Sequence, residues 1–223
     1  EEEPTLVREA IPALLVLAKK GPQNAQSSAQ DALVNMLKGD PDSSTALVPE
    51  IVKISKDAGQ TSLTRLFFLQ KAAAASAHHA QTTQCMVTEL VPLLHSKKDH
   101  IRRMAGESLM EVVKEGPATL SNLKIVVSEV GPVFENTNRT VRWTARRILE
   151  RLVDLSDGDL QKSKIVVNDL IERMGGDNPE VRQDVGDAIS DIIKFGDNAE
   201  AARFAVSELV EALGSDDSDE KKE

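Results

Sequence analysis

Tyrosine is absent from the 223 residues, cysteine and tryptophan occur once each, and aromatic residues make up 3% of the chain. With so few large rings, packing falls to Ala, Val, Leu and Ile. That suits helices stacked in similar layers and argues against a sandwich or barrel built around aromatic side chains. A single cysteine, Cys85, excludes an intramolecular disulfide and fits a reducing compartment. It sits in the apolar helical run "TQCMVTELV", where the expectation is a small buried hydrophobe and not a reactive thiol. No apolar stretch is long enough to span a bilayer and no signal peptide is visible. The first residue is Glu1, not Met, so a fragment or processed product is the expectation.

Chemistry-bearing motifs are equally scarce. His78, His79, His95 and His100 show neither HExxH nor Cys/His ligand spacing, and no glycine run forms a phosphate loop. No catalytic residue, metal site or cofactor is therefore assigned, and the chain reads as a non-enzyme. The formal charge is -9. Glu1, Glu2 and Glu3 and the final stretch "SDDSDEKKE" (215–223) carry about two thirds of it, so residues 4–214 are nearly balanced and can hold local basic patches. Acidic stretches of this kind are expected to be solvated and disordered.

What is present is a repeat. "HIRRMAGESLMEVV" from 100, "TVRWTARRILERLV" from 140 and "EVRQDVGDAISDII" from 180 line up at an offset of 40 residues. Ile101, Ala105, Leu109 and Val112, then Val141, Ala145, Leu149 and Leu152, then Val181, Val185, Ile189 and Ile192, recur at i, i+4, i+8 and i+11, which places each set on one helical face. Arg102, Arg142 and Arg182 follow the first apolar residue each time. Each segment is preceded by another amphipathic run and a polar turn. In "GGDNP", Asn178 is the expected N-cap and Pro179 the first helical residue. Weaker copies lie at 10–37 and 46–76, and "ARFAVSELVEALGSDD" matches the first helix of a sixth unit.

The expectation is an all-α, right-handed α-solenoid of about five and a half helical hairpins, about eleven helices, forming one domain over 1–214 and followed by an acidic tail, 215–223. Gly21, Gly39, Gly59, Gly116, Gly158, Gly196 and Gly214 mark its boundaries.

These segments resemble the armadillo/HEAT superfamily. "AIPALLVLAKKGPQNAQSSAQDALVNML" is similar to an armadillo unit, with Pro12 near the start of its first helix and Asn35 at the place where that family sets a groove-lining asparagine. "DHIRRMAGESL" and "NPEVRQDVGDAI" are closer to HEAT units through Asp99, Ile101 and Arg102 and through Asp177, Val181 and Arg182. Pro12, Pro49, Pro92 and Pro132 recur in first helices and are expected to bend or split them. The resemblance implies a binding surface more than an activity, with second helices lining a concave groove.

At 100° per residue, Trp143, the one tryptophan, points away from the apolar stripe of "NRTVRWTARRILERL", and Arg147 and Arg151 follow it at i+4 and i+8. The equivalent positions elsewhere are Ser27, Asp31 and Asn35, then Arg65, Leu69 and Ala73 in an insecure register, then Arg103, Glu107 and Glu111, and finally Gln183, Asp187 and Asp191. The expected partner is a protein or extended peptide held on this ladder, an acidic or aromatic side chain seated at Trp143 and basic residues selected by the acids on either side. Packing of Trp143 between repeats is the alternative. Acidic rungs argue against nucleic acid.

A second candidate surface is the rim of turns carrying Lys19, Lys20, Lys97, Lys98 and Arg139. Through it the chain also resembles the tubulin-binding TOG domain, although no Trp occupies the first turn and the fifth turn, "GGDNPE", is acidic. A third reading is a structural segment of a larger chain or complex. The expected location is cytoplasmic, with the nucleus open.

Overall fold

A computed structural model describes residues 3–39, 41–56, 63–114, 119–156, 158–195 and 199–219. Among them are eleven α-helices: α1 (Glu3–Lys20), α2 (Gln23–Leu37), α3 (Pro41–Lys56), α4 (Leu63–Ser76), α5 (Ala80–Leu90), α6 (Asp99–Lys114), α7 (Thr119–Val130), α8 (Arg139–Asp154), α9 (Leu160–Met174), α10 (Pro179–Phe195) and α11 (Ala199–Asp219). No strand occurs among the described residues. The fold is all-α and built of helical hairpins, as the repeat implies.

The chain divides into two compact units, Glu1–Ile125 and Val126–Glu223. In the first, α1, α3 and α5 pack in succession, as do α2, α4 and α6. The core between these layers is aliphatic, with Leu33, Leu37, Leu47, Ile51, Leu69, Met86, Leu90 and Leu109 fully buried and Phe68 the one aromatic among its largest members. In the second unit α8 packs on α10, α9 on both of them, and α11 on α9 and α10. Phe134, Leu149, Val166, Val167 and Leu170 form its centre. Every residue of the predicted 101, 141 and 181 stripes is buried.

The prolines act in two ways. Pro12 and Pro49 stay inside α1 and α3, whereas Pro92 and Pro132 convert the ends of α5 and α7 into 3-10 turns, Val91–His95 and Gly131–Glu135. A proline offers no N–H to the carbonyl four residues back, and the tighter winding accommodates the missing bond.

The starts of the second helices follow their sequence signals. The Asn178 side chain accepts from the N–H of Glu180 at 3.0 Å and of Val181 at 3.4 Å, with Pro179 as the first helical residue. Asn138 caps α8 in the same way through the N–H of Thr140. The repeated arginine supplies a second device. Arg102 donates to the carbonyl of Ser96 at 2.7 Å, Arg142 to that of Asn136 at 2.9 Å and Arg182 to that of Gly176 at 2.8 Å. Each reaches back six residues and ties the intra-hairpin turn to the first turn of the second helix.

Among the boundary glycines, Gly158 has φ +79, a left-handed turn between α8 and α9 that an L side chain rarely adopts. Gly59, Gly116 and Gly196 lie outside the described residues. Gly214 lies inside α11, which continues to Asp219. The Glu, Ala and Leu residues before it are strong helix formers, and one glycine costs about 1 kcal/mol. Residues 220–223 of the expected tail lie outside the described residues.

Candidate functional site

Two surfaces carry the candidate residues, one in each unit. In the second, α8 turns Val141, Ala145, Ile148, Leu149 and Leu152 inward, so that residue 143 projects outward. Trp143 is 56% exposed. The Arg147 guanidinium lies over the indole, 5.6 Å from the ring centroid. The Arg147 charge also acts on the Glu150 carboxyl three residues on, pulling its pKa down. Arg151 is exposed and reaches Asp154 at 3.8 Å within its own helix. Trp143, Arg147 and Arg151 therefore form one exposed aromatic and cationic row.

The acidic positions expected beside this row are otherwise engaged. Asp187 and Asp191 of α10 both meet Arg146, Asp187 at 3.3 Å and Asp191 in a closer pair, while Glu150 binds the same guanidinium at 2.7 Å. The three carboxylates share one guanidinium, and the side chains of Asp187 and Asp191 stay 55% and 39% exposed. Burial opposes the charge of Arg146, but its hydrogen bonds to Glu150 and Asp191 outweigh that and hold its pKa above the ordinary value. Burial likewise pushes the Glu150 carboxyl up, against the pull of Arg146.

Arg142 lies one turn earlier in α8, with 4% of its side chain exposed. It binds Asp184 at 2.5 Å, Glu180 at 2.8 Å, and the carbonyls of Asn136 and Thr137 at 2.9 and 3.2 Å. The hydrogen bond it donates to Asp184 leads in holding its pKa above the ordinary value.

In the first unit a groove of about 620 Å³ runs between α2, α4 and α6. Asn35 and Glu111, both ladder positions, line it with Asp31, Phe67, Gln70 and Lys71. Phe67 is 57% exposed and faces this groove. The ladder read through Leu69 and Ala73 is corrected here: both are fully buried, and the groove side of α4 carries Phe67, Gln70, Lys71 and Ala74. The register slips by two because "LFFLQKAAAAS" is apolar on nearly every side. The side chain of Arg65 lies outside the described residues.

Here too successive second helices are cross-linked. Lys71 meets Asp31 at 2.9 Å, and Gln70 donates to Glu107 at 3.1 Å. Glu107 also lies 3.9 Å from Arg103, and Glu111 pairs with Lys114. In the turns, Lys20, Lys97, Lys98 and Arg139 are exposed and Lys19 is half-buried. Among the described residues no group of three or more His, Cys, Asp or Glu is arranged to hold a metal, and no helix is long and apolar enough to cross a membrane.

No protein-family model matches the chain, and no curated protein sequence matches it. Among solved structures it is similar to a designed armadillo repeat protein in complex with the peptide (KR)4, at 15% identity over 92% of this chain and 90% of that one, with a TM-score of 0.36. A second is a structure described by the words "TOG-tubulin binding specificity promotes microtubule dynamics and mitotic spindle formation", at 15% identity over 90% and 85%, with a TM-score of 0.46. A third is the archaeal HEAT-like repeats protein from Thermococcus onnurineus NA1, at 17% identity over 92% and 91%, with a TM-score of 0.33. The chain resembles armadillo and HEAT-like repeat proteins. At these identities the likeness concerns fold alone.

Cys85 is half-buried, its Sγ 3.6 Å from the Thr45 carbonyl oxygen. Burial, and then the charge of Glu89, push its thiol up. A protonated, partly covered thiol reacts slowly. In native buffer near neutral pH, Ellman's reagent is expected to modify Cys85 at least about tenfold more slowly than it does the urea-unfolded chain. Equal rates would show a thiol open to chemistry.

Proposed function

We propose that the chain is a non-catalytic protein-binding module whose outer α8 face receives an extended, acid-bearing segment. The observation that carries this reading is the exposed Trp143 with the Arg147 guanidinium over its ring. On the row itself the two guanidinium groups of Arg147 and Arg151 outnumber the one carboxylate within reach, Asp154, while beside it five carboxylates of α8 and α10 surround Arg142 and Arg146. Tryptophan and arginine are the side chains that most often dominate protein interfaces, and the indole face and the guanidinium edge together suit a carboxylate on an extended strand. The groove beside Phe67 gives the first unit its own seat for an apolar side chain.

Because Trp143 is the one tryptophan, its fluorescence reports this site alone. Screening a display library of acidic peptides against a matched basic one should enrich the acidic set. The selected peptide should blue-shift Trp143 emission and shield it from acrylamide. Arg147→Glu should weaken binding at least about tenfold, the range of an interface hot spot. Enrichment of basic peptides, or acidic peptides that bind without touching Trp143 emission, would overturn the reading.

A further inference from the structure

The row on α8 continues one step toward the start of the helix. Arg139, the first residue of α8, stands four residues before Trp143 and is exposed, as Trp143, Arg147 and Arg151 are. Positions 139, 143, 147 and 151 thus form one i, i+4 ridge that reads cation, indole, cation, cation. Asp154, 3.8 Å from Arg151, closes the ridge at its far end and partly meets the last charge. At the near end the positive pole of the α8 dipole adds to Arg139.

That ridge has a definite step. Four residues of α-helix rise about 6.0 Å, and the i, i+4 ridge is inclined at about 26° to the axis, so its positions lie about 6.7 Å apart. In an extended strand the side chains on one face recur every second residue, about 6.4–6.8 Å. The two repeats agree. A strand laid along the ridge therefore stays in register with successive positions, and its intervening side chains point away from α8.

We infer that the partner segment is an extended strand crossing α8 obliquely, with carboxylates over Arg139 and Arg147 on either side of an apolar side chain seated on the Trp143 indole. Its register is acid, any residue, apolar, any residue, acid, and Arg151 offers a weaker seat for a further acid two residues on. This rests on the reading of the α8 face as the seat of an acid-bearing segment, and adds Arg139 and the order of side chains to it. A partner helix also sets acids about 6 Å apart, but it is about 10–12 Å wide. On this ridge it would carry its flanking residues toward Asp187 and Asp191 of α10, which stay 55% and 39% exposed, so any acid there meets repulsion. A strand needs only about 4.8 Å of width and follows the ridge itself.

The probe is a capped peptide of nine residues with glutamate at its third and seventh places, phenylalanine at its fifth and threonine elsewhere. The pattern reads the same in both strand directions, and with no tryptophan in the peptide the emission of Trp143 reports its binding. A permuted peptide of the same composition has its glutamates at the sixth and seventh places, so that only one shares the face of the phenylalanine. A third, alanine-rich peptide sets glutamate, phenylalanine and glutamate four residues apart, as a helix presents them. Titrated into the full chain in low-salt buffer, the alternating peptide should blue-shift Trp143 emission and bind at least about tenfold tighter than either of the others. Arg139→Glu should weaken it at least about tenfold and leave the circular dichroism of the chain unchanged, since the residue is exposed and a carboxylate in the first turn suits the helix dipole. Equal binding of the alternating and permuted peptides, or parental binding by the Arg139→Glu chain, overturns the inference and leaves the acid-binding reading standing. Tightest binding by the helical peptide also overturns it and assigns the row to a partner helix. If none of the three shifts Trp143 emission, the inference and the reading beneath it fall together.

Discussion

Replacing Arg142 by alanine is expected to destabilise the second unit by about 3–5 kcal/mol, the cost of breaking a buried ion pair and leaving its partners uncompensated. Its guanidinium, with 4% of the side chain exposed, holds Asp184, Glu180 and two turn carbonyls at once. Alanine would leave Asp184, itself only 17% exposed, facing an empty cavity without its counter-charge, and would release the turn before α8 from the start of α10. Arg142→Lys keeps the charge, but a single ammonium cannot span four acceptors in a fork, so about half the loss should remain. The same arginine in the neighbouring repeat, Arg182, is exposed and binds one carbonyl, so Arg182→Ala should cost far less. Urea unfolding followed by far-ultraviolet circular dichroism compares the three variants. An Arg142→Ala loss no larger than that of Arg182→Ala would show that the four contacts contribute no more than one exposed contact does.

The contrast between Arg142 and Arg182 also marks how far sequence could reach. The apolar stripes at 101, 141 and 181, the hairpin repeat, the Asn178 cap and the outward direction of Trp143 were all legible, because each depends on local helical geometry with a period of 3.6 residues. What a repeated arginine binds in the next repeat is not local. Glu180 and Asp184 stand 38 and 42 residues away, and nothing in the pattern ranks Arg142 above Arg102 or Arg182.

Arg146 was missed for a related reason. Asp187 and Asp191, aligned by the repeat with Arg147 and Arg151, meet Arg146 instead. Two adjacent phenylalanines on a helix diverge by about 100°, so Phe67 and Phe68 point in different directions. Phe68 is buried and Phe67 faces the groove. The uniform apolarity of the segment hid which was which.

Removing Arg146 should make stability depend on pH in a defined direction. Its guanidinium is 16% exposed and stands among Glu150, Asp187 and Asp191, and burial already pushes the Glu150 carboxyl above its ordinary value. Without Arg146 the lowering influence on Glu150 is lost while the charge of Asp191 still raises it. A carboxyl whose folded-state pKa lies above its unfolded value favours the fold when protonated. That contribution is complete below the unfolded pKa and is lost as pH rises through the folded one. Arg146→Leu should therefore show its largest deficit near neutral pH, about 2–3 kcal/mol once the exposure of Asp187 and Asp191 is discounted. Toward pH 4 the deficit should shrink below about 1 kcal/mol as the Glu150 carboxyl takes up its proton. Adding Glu150→Leu removes the half-buried charge itself and should recover most of the neutral-pH loss, since an apolar pair can replace an ion pair at little cost. Urea midpoints at the two pH values decide the matter. A deficit of equal size at both would mean that Arg146 acts through the packing of its aliphatic stem and not by neutralising the acids around it.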